Sequence, residues 1–224
     1  MAVWQSFAEY GAKELDGAEI HRPREVLDVV RLFIGLQLPQ AVRDRLSGLV
    51  YPLPRVRWVA RDNLHLTLRF IGEVDGAAAA DIDEALARIA APSFELTIAG
   101  VGEFNSRGRV RTLWAGVERS EPQRILYAKI KRALQRAGQS PERRRFSPHV
   151  TLARLRDVKL AEVAPFIAAH ANLNLKPIRV VRFVMFSSTL GHAGPVYTVE
   201  REYPLRDEDS AKLAVEWGAD DTLN

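Results

Sequence analysis

Three observations predict an α+β fold in which helices cover antiparallel sheet. Runs rich in β-branched and aromatic residues interleave with amphipathic stretches of helical period. Some of the β-prone runs follow one another across short Gly-containing turns, as hairpins do. One pattern, His-x-Thr-Leu, occurs twice, at residues 65–68 and again at 149–152.

The elements read in order as follows. Residues 1–30 are mixed and weakly periodic, and Pro23 interrupts any long helix there. "RLFIGLQLP" (31–39) is an apolar run ended by proline and reads as a strand, and "QAVRDRLSGLV" (40–50) has helical spacing. "VRWVARDNLHLTLRFIGEV" (56–74) reads as a short strand, a turn and a longer strand; "DGAAAADIDEALARIAAP" (75–92) is an amphipathic helix stopped by Pro92. "SFELTIAGVGEF" (93–104) and "TLWAGVE" (112–118) are strands flanking a loop or hairpin turn, "NSRGRVR". The helix 121–138 ends at Gly138. A strand (146–155), a helix (158–172) and two strands (178–190 and 194–205) joined by "GHAG" complete the chain.

Composition narrows the function. The 224 residues are 47% hydrophobic and 27% charged, ordinary for a domain with a full core. No apolar run is long enough to cross a membrane. The first twenty residues lack the basic start and apolar segment of a secretion signal. There is no cysteine, hence no disulfide, thiol nucleophile or thiolate zinc site, and a cytoplasmic location is expected. The net charge of +4, with "PERRRF" at 141–146 and an acid-rich tail at 206–224, suits a phosphate-bearing ligand, although a solvated arginine surface reads the same way.

The repeated tetrapeptide carries the chemistry. With five histidines and seven threonines in 224 residues, chance supplies about 0.16 His-x-Thr pairs, against two present. Residues two apart on a strand share a face. Each copy therefore presents an imidazole and a hydroxyl together, His65 with Thr67 and His149 with Thr151, while the alternate residues point into the packed layer. A lone pair of this kind is usually structural; two copies in matching contexts argue for a site. Imidazoles titrate near neutrality, so one can act as base while the other is protonated. Two hydroxyls can donate to phosphate oxygens whose charge grows in the transition state. A phosphodiester needs this set, and a ribose 2′,3′-cyclic phosphate suits it well, since ring strain lowers the barrier and water suffices as nucleophile. A two-histidine metal site is the weaker rival, because no third ligand accompanies either copy on its strand face.

These segments, from about Arg31 to Leu205, are similar to the two-histidine phosphoesterase superfamily, and specifically resemble the RNA 2′,3′-cyclic phosphodiesterases, also called 2′-5′ RNA ligases. The resemblance implies a bilobal, pseudo-twofold sandwich: two antiparallel sheets facing a central cleft, with helices outside. It implies hydrolysis of RNA ends bearing 2′,3′-cyclic phosphate to 2′-phosphates, with reversible 2′-5′ ligation as a side activity. It makes His65 and His149 the acid–base pair and Thr67 and Thr151 the phosphate clamps, and it matches Arg154 to an arginine near the phosphate. Strict alternation puts Arg154 on the face opposite His149, so its placement requires a bulge or a strand end. No cofactor, no metal and a monomer are expected. Phe33, Trp58 and Phe146 are candidates for stacking a base but read more simply as core. His21, His170 and His192 read as bystanders, and Ser187 and Ser188 lack a nearby base.

The departure is at the start. Relatives of this kind usually begin with Met directly before the first strand, whereas here Val30 stands in that place. Residues 1–30 are read either as upstream of a misplaced start or as an added arm. Two functional alternatives stay open: an RNA-end binding protein without turnover, and a phosphodiesterase acting on small cyclic nucleotides.

Overall fold

A computed structural model describes residues 29–142, 145–191 and 194–206. Residues 1–28 of the arm, the tail beyond Arg206, and His192 lie outside the described residues, and with the arm goes His21. Ten strands and four helices follow in order: β1 (Val30–Gln37), α1 (Gln40–Ser47), β2 (Val56–Trp58), β3 (His65–Val74), α2 (Gly76–Ala87), β4 (Phe94–Leu96), β5 (Ile98–Ser106), β6 (Arg109–Val117), α3 (Glu121–Arg136), β7 (His149–Lys159), α4 (Leu160–Ala169), β8 (Ile178–Val180), β9 (Arg182–Gly191) and β10 (Gly194–Pro204). The fold is α+β, as the interleaved periodicities predict.

The strands of one lobe run β10-β9-β1-β3 and those of the other β7-β6-β5, all antiparallel. They join where Leu66 of β3 pairs with Val150 of β7. Leu66 and Val150 are the second residues of the two tetrapeptide copies. Antiparallel pairing of equivalent residues is what a local twofold axis through the join requires. Beyond it, β2 takes over the same edge of β7, pairing Val56, Arg57 and Trp58 with Leu155, Arg154 and Ala153.

Two expected strands are divided in the structure. The run 93–104 breaks at Thr97 into β4 and β5, and the run 178–190 breaks at Val181 into β8 and β9. The short halves β4 and β8 pair with each other as a separate two-stranded sheet. The segment "NSRGRVR" is less of a loop than its composition suggests. Arg107 and Gly108 both take positive φ, 52° and 74°, and close a two-residue hairpin between Ser106 and Arg109.

Helix placement follows the apolar stripes. α2 starts at Asp75, whose carboxylate accepts from the Ala78 amide at 2.8 Å, and buries Ala79, Ile82 and Leu86. α3 buries Leu126, Ile130, Ala133 and Leu134 and packs on α2 and β3. Gly138, at φ 78°, lets the chain leave α3. α4 buries Val163 and Phe166 beside β7. Leu66, Leu68, Val150 and Leu152 are all part of the one large core cluster, so the apolar half of each tetrapeptide anchors the strand that carries the polar half.

Candidate active site

Alternation does in the structure what it predicts locally. Along β3, His65 and Thr67 are half-buried and Leu66 and Leu68 fully buried; along β7, His149 and Thr151 repeat the pattern over Val150 and Leu152. The alternation then slips at the same point of each strand. Gly35 and Ile34 of β1 pair with Thr67 and Arg69, leaving Leu68 as an extra residue. Trp114 and Leu113 of β6 pair with Thr151 and Ala153, leaving Leu152 as the extra one. Each bulge turns the residue two places on toward the site face. Arg154 thereby joins Thr151 in lining the cleft, so the bulge its placement requires is present. The equivalent bulge in β3 aims Phe70 into the same cleft, where it stays 59% exposed.

The cleft has a volume of about 610 Å³ and lies between β3, β7, β2 and the β9–β10 hairpin. His65, Thr67, Phe70, Thr151 and Arg154 line it, with Arg57, Asn63 and Tyr197. His149, two residues before Thr151 on the same strand face, is not itself among the residues that line the cleft, although its charge lowers the His65 pKa.

Both imidazoles are held in one tautomer. His65 Nδ1 lies 2.7 Å from the Asn63 carbonyl, and His149 Nδ1 lies 2.7 Å from the Ser147 carbonyl. A carbonyl only accepts, so each Nδ1 carries the proton and each Nε2 has a free lone pair. His65 Nε2 sits 2.9 Å from Thr67 Oγ1, which donates to it. Asn63 also donates from Nδ2 to the Pro195 carbonyl at 2.7 Å, tying the turn before β3 to the hairpin.

The surroundings separate the two histidines. Phe33, 2% exposed, packs 4.8 Å from the His65 ring, with Tyr197 edge-on at 5.2 Å and Phe186 behind. That burial drives the His65 pKa down to about 4, with Arg154 and His149 lowering it further and the Asn63 carbonyl opposing. His149 meets Phe104 edge-on at 4.8 Å; burial and Arg154 lower its pKa too, against the Ser147 carbonyl. Missing side chains make room for these rings. A Cβ on Gly35 would sit 2.8 Å from the Leu66 carbonyl and 3.4 Å from the His65 ring; one on Gly102 would strike the Trp114 indole at 2.3 Å.

The aromatic candidates behave mostly as core. Phe33 is buried, Trp58 packs on Phe166 although it also reaches the cleft wall, and Phe146 stacks on Tyr127 at 4.1 Å. His170 caps the end of α4 against Phe166, and Ser187 is buried in β9. Sequence reasoning missed Phe70 and Arg57. The repeat held a signal for Phe70, which falls at the place of Arg154 when the copies are superimposed.

The chain matches the 2′-5′ RNA ligase superfamily over residues 38–186. It belongs to that superfamily. An RNA 2′,3′-cyclic phosphodiesterase of Thermotoga maritima is 33% identical over 183 residues, covering 76% of this chain and 92% of the relative. One of Escherichia coli is 31% identical over 182 residues, covering 78% and 96%. Among solved structures, Escherichia coli LigT complexed with 3′-AMP superimposes with a TM-score of 0.65 at 28% identity, over 80% of this chain and 99% of that one. LigT has also been crystallised with phosphate, ATP and NADP+. This superfamily member thus shares its fold with a protein crystallised with nucleotides.

Proposed function

We propose that the protein hydrolyses RNA 2′,3′-cyclic phosphate ends to 2′-phosphomonoesters without a metal, using His65 and His149 as its proton-transfer pair. The observation that carries this reading is the shared geometry of the two copies: each imidazole donates Nδ1–H to the backbone carbonyl two residues before it, and each is followed two residues later on the same strand face by a threonine, whose hydroxyl in the first copy donates to His65 Nε2. Membership of the superfamily and the names of its relatives support the same chemistry. Among the described residues no group of three or more His, Cys, Asp or Glu could hold a metal ion.

The more desolvated His65 stays neutral and accepts a proton from the attacking water. The less buried His149 takes a proton when the phosphate anion arrives and delivers it to the departing ribose 3′-oxygen. The new P–O bond comes from water and the 3′-O–P bond breaks, which leaves the phosphate on the 2′-oxygen. Thr67, Thr151 and Arg154 hold the non-bridging oxygens as their charge rises. An RNA 5′-hydroxyl in place of water gives a 2′-5′ linkage by the same route.

The test is turnover of an oligonucleotide ending in 2′,3′-cyclic phosphate in excess EDTA, with the product's regiochemistry read by NMR. Sustained turnover to the 2′-phosphate is expected. Activity lost on chelation and restored by zinc or manganese would replace this reading with a metal mechanism, and binding without turnover would make the protein an RNA-end binder.

A further inference from the structure

Arg57 and Arg154 are direct cross-strand partners in the antiparallel β2–β7 pair, and both side chains line the cleft. Directly opposed residues in such a pair have Cβ atoms about 4.5–5.5 Å apart, and like charges so placed repel. A fold ordinarily relieves that repulsion with a carboxylate. Here Asp62 is the one acidic residue among the described residues lining the cleft, and it pairs with Arg43 at 3.4 Å and Arg61 at 2.9 Å. Arg154 is steadied by the buried Thr112 hydroxyl at 3.4 Å, a neutral partner. Among the described residues, two guanidiniums thus face one cleft with no acid between them.

The two arginines reach different parts of it. Arg154 sits over the floor beside Thr151, and its charge bears on both His65 and His149. Both arginines act on Tyr197 in the hairpin wall, opposing the burial that pushes its phenol up. Arg57 leans to that wall: a Cβ on Gly194 would lie 3.9 Å from its Nη2. Positive charge therefore continues from the phosphate clamp outward along the hairpin.

We infer that Arg57 is a specificity-determining residue that binds a second phosphate, the one on the 5′ side of the nucleotide whose cyclic phosphate reacts. This rests on the function proposed above and deepens it: the preferred substrate carries a 5′ phosphate charge, as an RNA chain does, rather than being a bare nucleoside cyclic phosphate. The same guanidinium accepts the diester of RNA or the 5′-monoester of a single nucleotide, since both offer the same anionic oxygens.

The experiment compares kcat/KM on four cyclic phosphates: a nucleoside alone (N>p), its 5′-phosphorylated form (pN>p), a dinucleotide (NpN>p), and that dinucleotide with an uncharged methylphosphonate linkage. Wild type should prefer the charged dinucleotide over N>p by about tenfold, what one charge-assisted contact supplies. The methylphosphonate should forfeit that preference. Arg57→Ala should lose about tenfold more on NpN>p than on N>p, Arg57→Lys should recover part of the difference, and the salt slope on NpN>p should flatten by about 0.7. A gain for pN>p equal to that for NpN>p shows that the phosphate alone is read; a gain for NpN>p only shows that the diester of a chain is required. Equal losses on all substrates, or a preference that survives Arg57→Ala or the methylphosphonate, would overturn the assignment. If wild type turns over no cyclic phosphate, the proposed function fails. The subsite is then judged by affinity: a nucleoside 2′,5′-bisphosphate should outbind the 2′-monophosphate about tenfold, and Arg57→Ala should abolish that margin.

Discussion

Phe70 and Arg154 stand at equivalent positions, five residues after His65 and His149, each turned into the cleft by a bulge at the same point of its strand. The two lobes agree in histidine, threonine and bulge and differ in what the bulge presents. One presents a cation to the cleft, the other an exposed ring.

That asymmetry predicts a base-dependent role for Phe70. Base stacking on an aromatic side chain contributes about 1–3 kcal/mol. Phe70→Ala should raise KM for a nucleoside cyclic phosphate by about tenfold or more, and should change an abasic ribose 2′,3′-cyclic phosphate far less. Steady-state kinetics on the two substrates check this, and equal losses on both would remove Phe70 from base recognition.

Much of this site was legible in the sequence because its signals are short-range. A strand alternates faces whatever its neighbours do, so His65–Thr67 and His149–Thr151 fall out as co-facial pairs. The bulges were not legible, since Leu68 and Leu152 are extra only relative to β1 and β6. The same limit hid the breaks at Thr97 and Val181, where one apolar run serves two sheets. Arg57 was invisible because its partner Arg154 lies almost a hundred residues away and only strand register brings them together.

Histidine and threonine losses should separate by size. Removing a proton-transfer group costs roughly 10²–10⁴-fold in rate, whereas one transition-state donor is worth up to about 10²–10³-fold in the best-organised sites. In the proposed function Thr67, Thr151 and Arg154 share one phosphate, so Thr67→Val or Thr151→Val should be milder than His65→Ala or His149→Ala. Single-turnover rates at saturating substrate decide this. Histidine variants with near-normal rates beside inactive threonine variants would reduce the repeat to a binding surface.

The pKa shifts give a pH dependence of definite sign. The proposed mechanism needs His65 neutral and His149 protonated, so kcat/KM should be bell-shaped, with an acid limb near pH 4 and an alkaline limb below the ordinary 6.5 of histidine. The bound phosphate anion should move both limbs of kcat upward. Stability follows by linkage. His65 titrates lower folded than unfolded, so between about pH 6.5 and 4 the unfolded chain takes up a proton that the folded one refuses. Stability falls as pH drops through that window, by roughly 3 kcal/mol at full titration. His65→Gln should flatten this part of the denaturation profile; an unchanged slope would contradict the burial of a neutral His65.

Gly35 should be intolerant because its missing side chain seats the His65 ring. Gly35→Ala brings a Cβ to 2.8 Å of the Leu66 carbonyl, a backbone atom that cannot rotate away. A loss of about 1–3 kcal/mol in stability is expected, together with lowered kcat. Gly76→Ala, which meets nothing within 4 Å, is the control. Thermal denaturation and kcat on the two variants suffice, and a Gly35→Ala protein as active and stable as the control would refute the packing account.

The central claim is a division of labour between two imidazoles, and one measurement bears on it most directly. Each histidine variant is assayed on the cyclic phosphate and on a 3′-deoxynucleoside 2′-(4-nitrophenyl phosphate), whose nitrophenolate leaves without needing a proton. The account predicts that His149→Ala recovers most of its lost rate on the nitrophenyl ester, while His65→Ala stays slow on both substrates because water must still be deprotonated. Rescue of neither variant, or full activity of either on the cyclic phosphate, would contradict acid–base catalysis by this pair.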